Sequence, residues 1–109
     1  MTDVCAQNVY GGSGDIYSAD IWPKDKFPIQ HGKFMRLVRI PPGSKLGFHM
    51  HSRESELFYA IYGSIKVMDD QECTRLERGD ALLTGDGHSH SLFNDTDGDF
   101  VMVSILLYD

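Results

Sequence analysis

The sequence predicts an all-β protein, a sandwich or barrel of short antiparallel strands. Segments with strand composition recur at intervals of about 8–12 residues, and glycine, proline, aspartate and asparagine separate them. No stretch keeps apolar residues at helical spacing over three turns. Together these observations are typical of all-β sandwiches and barrels.

The first predicted strands lie in the middle of the chain. FMRLVRI (34–40) is rich in β-branched and long apolar residues, and the turn-forming residues 41–43 end it. ELFYAIY (56–62) ends at Gly63, and SIKVMD (64–69) follows at once.

Three further strands are predicted in the second half of the chain. ALLT (81–84) leads into the turn residues 85–87, and HSLFN (90–94) leads into the turn residues 95–98. FVMVSILLY (100–108) is the last. All three have the apolar, β-branched or aromatic composition of strands that face a core.

The N-terminal part of the chain has a different composition. Residues 1–32 contain several glycines and prolines and predict an irregular arm with a possible edge strand around 16–21. Residues 33–109 are predicted to form the barrel. At 109 residues, the sequence is expected to form one domain.

Composition and charge limit the classes of function. Apolar residues make up 41% and charged residues 24%, which is typical of a folded globular protein. The net charge of −6 argues against a general nucleic-acid binder. No apolar run approaches the ~20 residues of a membrane span, and the N-terminus does not have the pattern of a signal peptide. Cys5 and Cys73 lie far apart, so a reducing, cytoplasmic setting is expected.

Two histidines and a glutamate form the first candidate site. His49 and His51 lie two apart, so in an extended segment they project from the same face. Glu56 begins the next strand, and by alternation it shares a face with Phe58, Ala60 and Tyr62. A carboxylate that faces an apolar interior is costly unless a cation compensates it. A metal ion would do so and would use both imidazoles.

The spacing leaves the fourth ligand of such a site open. The candidates are His31, His88 and His90, of which the last two again lie two apart. The alternative interpretation is that the histidines are ordinary surface residues and that Glu56 is a solvated glutamate.

Two segments resemble the signatures of the cupins. Residues 43–63 fill every position of the first signature, G-x5-H-x-H-x(3,4)-E-x6-G. Residues 79–94 are similar to the second, G-x5-P-x-G-x2-H-x3-N, except that Gly85 stands where the family usually has proline. The 15 residues between the two segments match the short spacing of the smallest single-domain cupins.

The resemblance implies a fold and a metal centre. The fold is a jelly-roll barrel, a double-stranded antiparallel β-helix. Carried over position by position, the metal ligands are His49, His51, Glu56 and His90. Three imidazoles and one carboxylate suit one divalent transition metal ion, namely manganese, iron, cobalt, nickel or zinc. His88 falls on an unspecified position, and by alternation from His90 it is expected on the inward face.

Cupins include dioxygenases, decarboxylases, lyases, sugar isomerases and non-enzymatic binding domains. We therefore expect a metal-dependent enzyme that acts on a small polar or anionic organic molecule. The alternative is a binding or sensing module that performs no chemistry.

Several side chains are candidates for contact with the ligand. Tyr62 could act as an acid, a base or a hydrogen-bond donor, or could simply be a barrel aromatic. Phe58 and His88 are further candidates. Arg36 and Arg39 have opposite parity in one strand, so only one can face inward. An inward arginine indicates a carboxylate or phosphate ligand. The alternative is a solvated basic outer face.

The arm also carries a prediction about assembly. It is too irregular to form its own core, yet it contains six large apolar side chains: Ile16, Tyr17, Ile21, Trp22, Phe27 and Ile29. They must pack on their own barrel or on a neighbour's. Because similar small cupins often exchange such arms between subunits, we expect a homodimer.

Overall fold

A computed structural model describes residues 4–22, 30–50 and 52–108, with the backbone alone at 48 and 49. Within these ranges the chain is antiparallel β-structure, apart from loops and a short 3-10 turn at Val9–Gly11. The predicted all-β fold is confirmed. In the same ranges no helix has the length and apolar character that crossing a membrane requires.

Ten strands lie in the described ranges. They are β1 (Val4–Gln7), β2 (Asp15–Asp20), β3 (Gly32–Ile40), β4 (Lys45–Met50), β5 (Glu54–Tyr62), β6 (Ser64–Asp69), β7 (Glu72–Glu77), β8 (Ala81–Thr84), β9 (Ser89–Phe93) and β10 (Phe100–Tyr108).

The strands form two sheets that face each other. The larger has the order β1-β2-β3-β10-β5-β8, and the smaller has the order β4-β9-β6-β7. Buried apolar side chains from both sheets pack together between them, among them Ile40, Phe58, Ile65, Leu92 and Phe100. This two-sheet arrangement is the predicted jelly-roll barrel, and its interior contains the candidate site.

The six strands predicted from 34 to 108 correspond to β3, β5, β6, β8, β9 and β10. β4 was expected only as an extended segment around His49, and β1 and β7 were not predicted. The last two lie at sheet edges, and Leu76 is the single buried residue in the two together. Because every other side chain of the two strands is exposed, neither strand has the apolar alternation from which strands are predicted.

The arm is more regular than its composition predicted. β2 pairs with β3 of the same chain and β1 pairs with β2, so the expected edge strand is covered by another. Ile16 is buried in this chain's own core, whereas Ile21 and Trp22 are exposed. Phe27 and Ile29 lie outside the described residues. The arm therefore completes its own sheet, and the homodimer stays a prediction.

Candidate metal centre and cavity

Glu56 and His90 meet between the two sheets. Glu56 lies on β5 of the larger sheet, and His90 lies on β9 of the smaller. His90 is 0% exposed and Glu56 is 7% exposed. The Oε1 atom of Glu56 is 3.4 Å from Nε2 of His90. The fold thus brings together two predicted ligands that are 34 residues apart in the sequence.

Neighbouring side chains hold the other polar atom of each residue. The hydroxyl of Ser104 donates a hydrogen bond to Oε2 of Glu56 at 2.6 Å. The hydroxyl of Thr84 lies 2.9 Å from Nδ1 of His90. The ring of Phe58 stacks on the imidazole with 4.8 Å between centroids. These contacts fix both side chains so that Oε1 and Nε2 face each other.

This arrangement fits a divalent cation. A carboxylate oxygen and an imidazole nitrogen suit first-row transition metals. Metal-binding histidines ordinarily use their second ring nitrogen in a hydrogen bond that fixes the tautomer and the ring orientation. If Thr84 accepts the Nδ1 proton, Nε2 presents its lone pair toward Glu56. A cation between the two atoms could then be coordinated by both.

His49 is placed by its backbone alone. On β4 it is paired directly with His90 of β9. The side chain of His49 and the whole of His51 lie outside the described residues. Among the residues whose side chains are described, no group of three or more His, Cys, Asp or Glu is arranged to hold a metal ion. The full ligand set therefore stays a prediction.

A cavity of about 360 Å³ lies against Glu56 and Ser104. The inner faces of β3, β5 and β10 form its walls, and residues of the arm close one side. Most of its lining is apolar, including Phe34, Val38, Ile40, Phe58, Met102 and Leu106. Such a volume is near the lower end of the roughly 300–1,000 Å³ of small-molecule sites, which indicates a small ligand.

Arg36 is the arginine that reaches this cavity. Arg36 lies on the same, inner face of β3 as Phe34 and Val38, and all three line the cavity. Its Nε atom bonds Oδ1 of Asp20 at 3.0 Å, and its guanidinium lies 3.9 Å from the centre of the Phe34 ring.

Arg39 lies on the opposite face of the same strand. Its guanidinium is 4.1 Å from the centre of the Tyr17 ring, and a terminal nitrogen is 3.9 Å from Oδ2 of Asp99. Arg39 is therefore an outer-surface residue, and Arg36 alone of the two can meet a ligand in the cavity.

The expectation that Tyr62 shares the inner face with Glu56 is wrong. Tyr62 is 62% exposed and does not line the cavity. Along β10, Met102 pairs with Ala60 and the adjacent Val101 pairs with Tyr62, so β5 has one extra residue here. This β-bulge ends the alternation.

The expectation that His88 faces inward is also wrong. His88 precedes β9, so the alternation of that strand does not reach it. Its exposed imidazole Nδ1 is 2.7 Å from Oδ2 of Asp70, and this hydrogen bond raises the pKa of His88. The backbone N–H of Ser89 bonds the same carboxylate and, with His88, lowers the pKa of Asp70. His31, another candidate ligand by spacing, lies in the exposed turn before β3.

Four residues of the site were missed from the sequence. Thr84 and Ser104 are buried at 1% and 2% exposure and hold the candidate ligands. Lys33 and Glu54 line the cavity, and Nζ of Lys33 is 3.7 Å from Oε2 of Glu54. The one signal for Ser104 is that it is the only hydroxyl residue inside the apolar run FVMVSILL.

Comparison with known protein families shows which family the chain belongs to. A model of the cupin domain matches residues 36–106. The chain is a cupin. The matched range contains both signature segments and the four ligands that the signatures imply.

Relatives of this cupin add detail. An oxalate-binding protein from Thermotoga maritima is 34% identical over 102 residues, which cover 92% of this chain and 84% of the relative. A crystal structure of a predicted oxalate decarboxylase from the same species matches with a TM-score of 0.94 and 26% identity, over 100% of this chain and 94% of that one.

A more distant structure matches in fold. The cupin domain of Cnp3 from Schizosaccharomyces pombe has a TM-score of 0.77 and 13% identity, over 97% of this chain and 69% of that one. At this identity the likeness concerns the fold alone.

Proposed function

We propose that this cupin holds one divalent transition metal ion through His49, His51, Glu56 and His90, and that its cavity takes a small dicarboxylate such as oxalate. The observation that carries the proposal is the buried Glu56–His90 pair beside a cavity that also contains Arg36. The name of the oxalate-binding relative, 34% identical, supports the ligand class.

The metal part of the proposal rests on how the chain prepares its ligands. Thr84 and Ser104 hold the far atoms of His90 and Glu56. His49 is opposite His90 in the backbone register, which brings a second histidine to the same place on the smaller sheet. When bound, such an ion supplies Lewis acidity and open coordination positions.

Arg36 is proposed to anchor one carboxylate of the ligand. Asp20 engages Nε, which orients the guanidinium and leaves the end with the two terminal nitrogens suited to a carboxylate. Glu56 in the same wall repels anions. We therefore expect dicarboxylate binding to require the cation, because metal-free protein presents the Glu56 carboxylate to the ligand.

Calorimetric titration of oxalate into metal-loaded protein tests the anchor. Arg36→Gln should lower affinity roughly 10- to 100-fold, since a charge-assisted hydrogen bond contributes about 1.5–3 kcal/mol. Arg39→Gln is the matched control, because it removes the same charge from the outer face of the same strand. Both variants should keep their metal.

Two outcomes would count against the proposal. Equal affinity in the parent and both variants would remove Arg36 as the anchor. No binding of oxalate to the metal-loaded parent would remove the dicarboxylate ligand and leave the metal site to be tested separately.

The second candidate function is turnover of the bound dicarboxylate, an activity suggested by the name of the predicted oxalate decarboxylase. Decarboxylation of oxalate breaks the C–C bond, takes up one proton and gives formate and carbon dioxide. Glu54 lines the same cavity and is the residue we propose to supply that proton.

Formate production separates enzyme from binding protein. Metal-loaded enzyme should release formate and carbon dioxide in equal amounts from oxalate, and Glu54→Gln should abolish release while oxalate still binds. Binding without formate would establish the non-catalytic alternative.

A further inference from the structure

The cavity is charged at one end and apolar at the other. Its charged lining residues are Lys33, Arg36, Glu54 and Glu56, which lie close together on β3 and β5. Among the described residues, no charged side chain lines the part beyond them. That part is called the apolar lobe here, and its walls are formed by Val9, Ile16, Val38, Ile40, Leu46 and Met102.

The register of the strands sets the extent of the lobe. Arg36 pairs with Ser104 across β3 and β10, and the hydroxyl of Ser104 bonds Glu56, so these residues mark the charged end. Ile40 lies four residues beyond Arg36 on the same face of β3, which is roughly 13 Å at the rise of an antiparallel strand. The lobe therefore extends well beyond the groups proposed to hold the carboxylates.

The arm closes the lobe and adds little polarity to it. Ala6 pairs with Ile16 at the margin of the lobe, and Ser18 pairs with Val38. Ser18 supplies one hydroxyl, whereas the other walls are hydrocarbon. A charged oxygen placed against such walls loses its hydration without replacement, which is costly. The lobe thus suits a hydrocarbon group and excludes a carboxylate.

Oxalate leaves the lobe unfilled. A molecule of liquid water occupies roughly 30 Å³, and covalently bonded atoms lie closer together, so the six heavy atoms of oxalate take up at most about 180 Å³. The volume of the cavity is about 360 Å³. With its carboxylates at the charged end, oxalate therefore occupies no more than half of the space and meets little of the apolar lining.

We propose that the cavity selects a dicarboxylate that carries a hydrocarbon substituent, with the substituent in the apolar lobe. The position of the two carboxylates, at Arg36 and at the metal, rests on the proposed function. At the same allowance per atom, the remaining volume holds a substituent of about four to six carbon atoms. Small-molecule sites ordinarily combine a few polar groups that orient the ligand with an apolar lining that contacts most of it.

Calorimetric titration of the metal-loaded protein with malonate and with n-butylmalonate tests the assignment. The two ligands have the same pair of carboxylates, and only the second has a hydrocarbon chain. Each methylene that is fully buried tightens binding about fourfold. Butylmalonate should therefore bind about 10- to 100-fold more tightly than malonate, since part of its chain stays near the charged end.

A variant that fills the lobe tests where the chain lies. Ala6→Phe places a ring at the margin of the lobe, from an exposed position on the edge strand β1, and should remove most of the advantage of butylmalonate while malonate binds as before. Gln7→Phe is the matched control. It adds the same ring to the other face of β1, away from the cavity lining, and should keep the advantage.

The outcomes separate this assignment from the proposed function. Equal affinity of the parent for malonate and butylmalonate would overturn the assignment and leave the dicarboxylate site intact. An advantage of butylmalonate that is the same in folded Ala6→Phe and Gln7→Phe would place the chain outside the lobe and also overturn it. Binding of neither malonate, butylmalonate nor oxalate would overturn the proposed ligand class itself. If Ala6→Phe fails to fold, the two affinities of the parent decide the question.

Discussion

Thr84 and Ser104 determine how the two candidate ligands face each other. They hold Nδ1 of His90 and Oε2 of Glu56, the atoms turned away from the shared position. Neither residue fills a specified position of the signatures, so the sequence identifies the ligands but not the groups that orient them. Hydroxyl residues inside strands are common, and only the pairing of three strands shows which of them reach a ligand.

We predict that Thr84→Val lowers metal affinity about 10- to 100-fold, the usual effect of removing the hydrogen-bond partner of a ligating histidine. Valine keeps the shape and removes the hydroxyl, so Nδ1 loses its partner. Competition with a chromophoric chelator measures the change. Thr74→Val, at an exposed position on β7, is the control. Equal affinities in the two variants would show that Thr84 does not position His90.

Asn94 shows how a signature residue can be structural. It is 0% exposed, its amide donates to the carbonyls of Ile40 and Gly98 at 2.8 Å, and its side-chain oxygen accepts from the backbone N–H of Thr96. The signature identified the position. Asn94 joins the loop before β10 to the end of β3. The sequence does not show which backbone carbonyls lie near this side chain.

At the scale of elements, the bulge in β4 is the feature that alternation could not predict. Leu46 pairs with Leu92, and His49 pairs with His90. The step is three residues on β4 and two on β9, so β4 contains one extra residue. Leu46 and His49 therefore both pair with inward-facing residues of β9. Strict alternation would place Leu46 and His49 on opposite faces of β4. Gly47, a glycine inside a strand, was the available signal.

Gly47 also lets the arm approach the sheet. A Cβ atom there would collide with the carbonyl oxygen of Tyr10 and the backbone nitrogen of Gly12. The arm and β4 are joined next to this point by the two backbone hydrogen bonds between Ser13 and Lys45, at 3.0 and 2.7 Å. The short turn of the arm thus rests directly on the strand that leads into the first signature's histidines.

We predict that Gly47→Ala lowers the free energy of unfolding by about 1–3 kcal/mol, the usual range for overpacking. Metal affinity should fall as well, because β4 must move to relieve the contact. Urea unfolding and chelator competition measure the two effects. Gly85→Ala is the control, since its added Cβ would come no nearer than 3.9 Å to the hydroxyl of Ser55. A Gly47→Ala variant as stable as Gly85→Ala would contradict the prediction.

At the scale of the whole molecule, the sequence was informative where one face of a strand is buried. The apolar runs of β3, β5 and β10 predicted their strands, and the two signatures predicted the barrel around them. The edge strands β1 and β7 bury few side chains, so their sequences show no alternation of apolar and polar residues. The parity of Arg36 and Arg39 shows that they lie on opposite faces of β3. It does not show which of the two faces is the inner one.

Metal analysis of protein purified without added metal tests the proposed four-ligand metal site. We predict one transition metal ion per parent chain after extensive dialysis. We predict essentially none in a folded His49→Ala/His90→Ala double variant, because two of the four ligands are removed. Full occupancy in the double variant, or a metal-free parent that takes up no divalent ion when one is supplied, would contradict it.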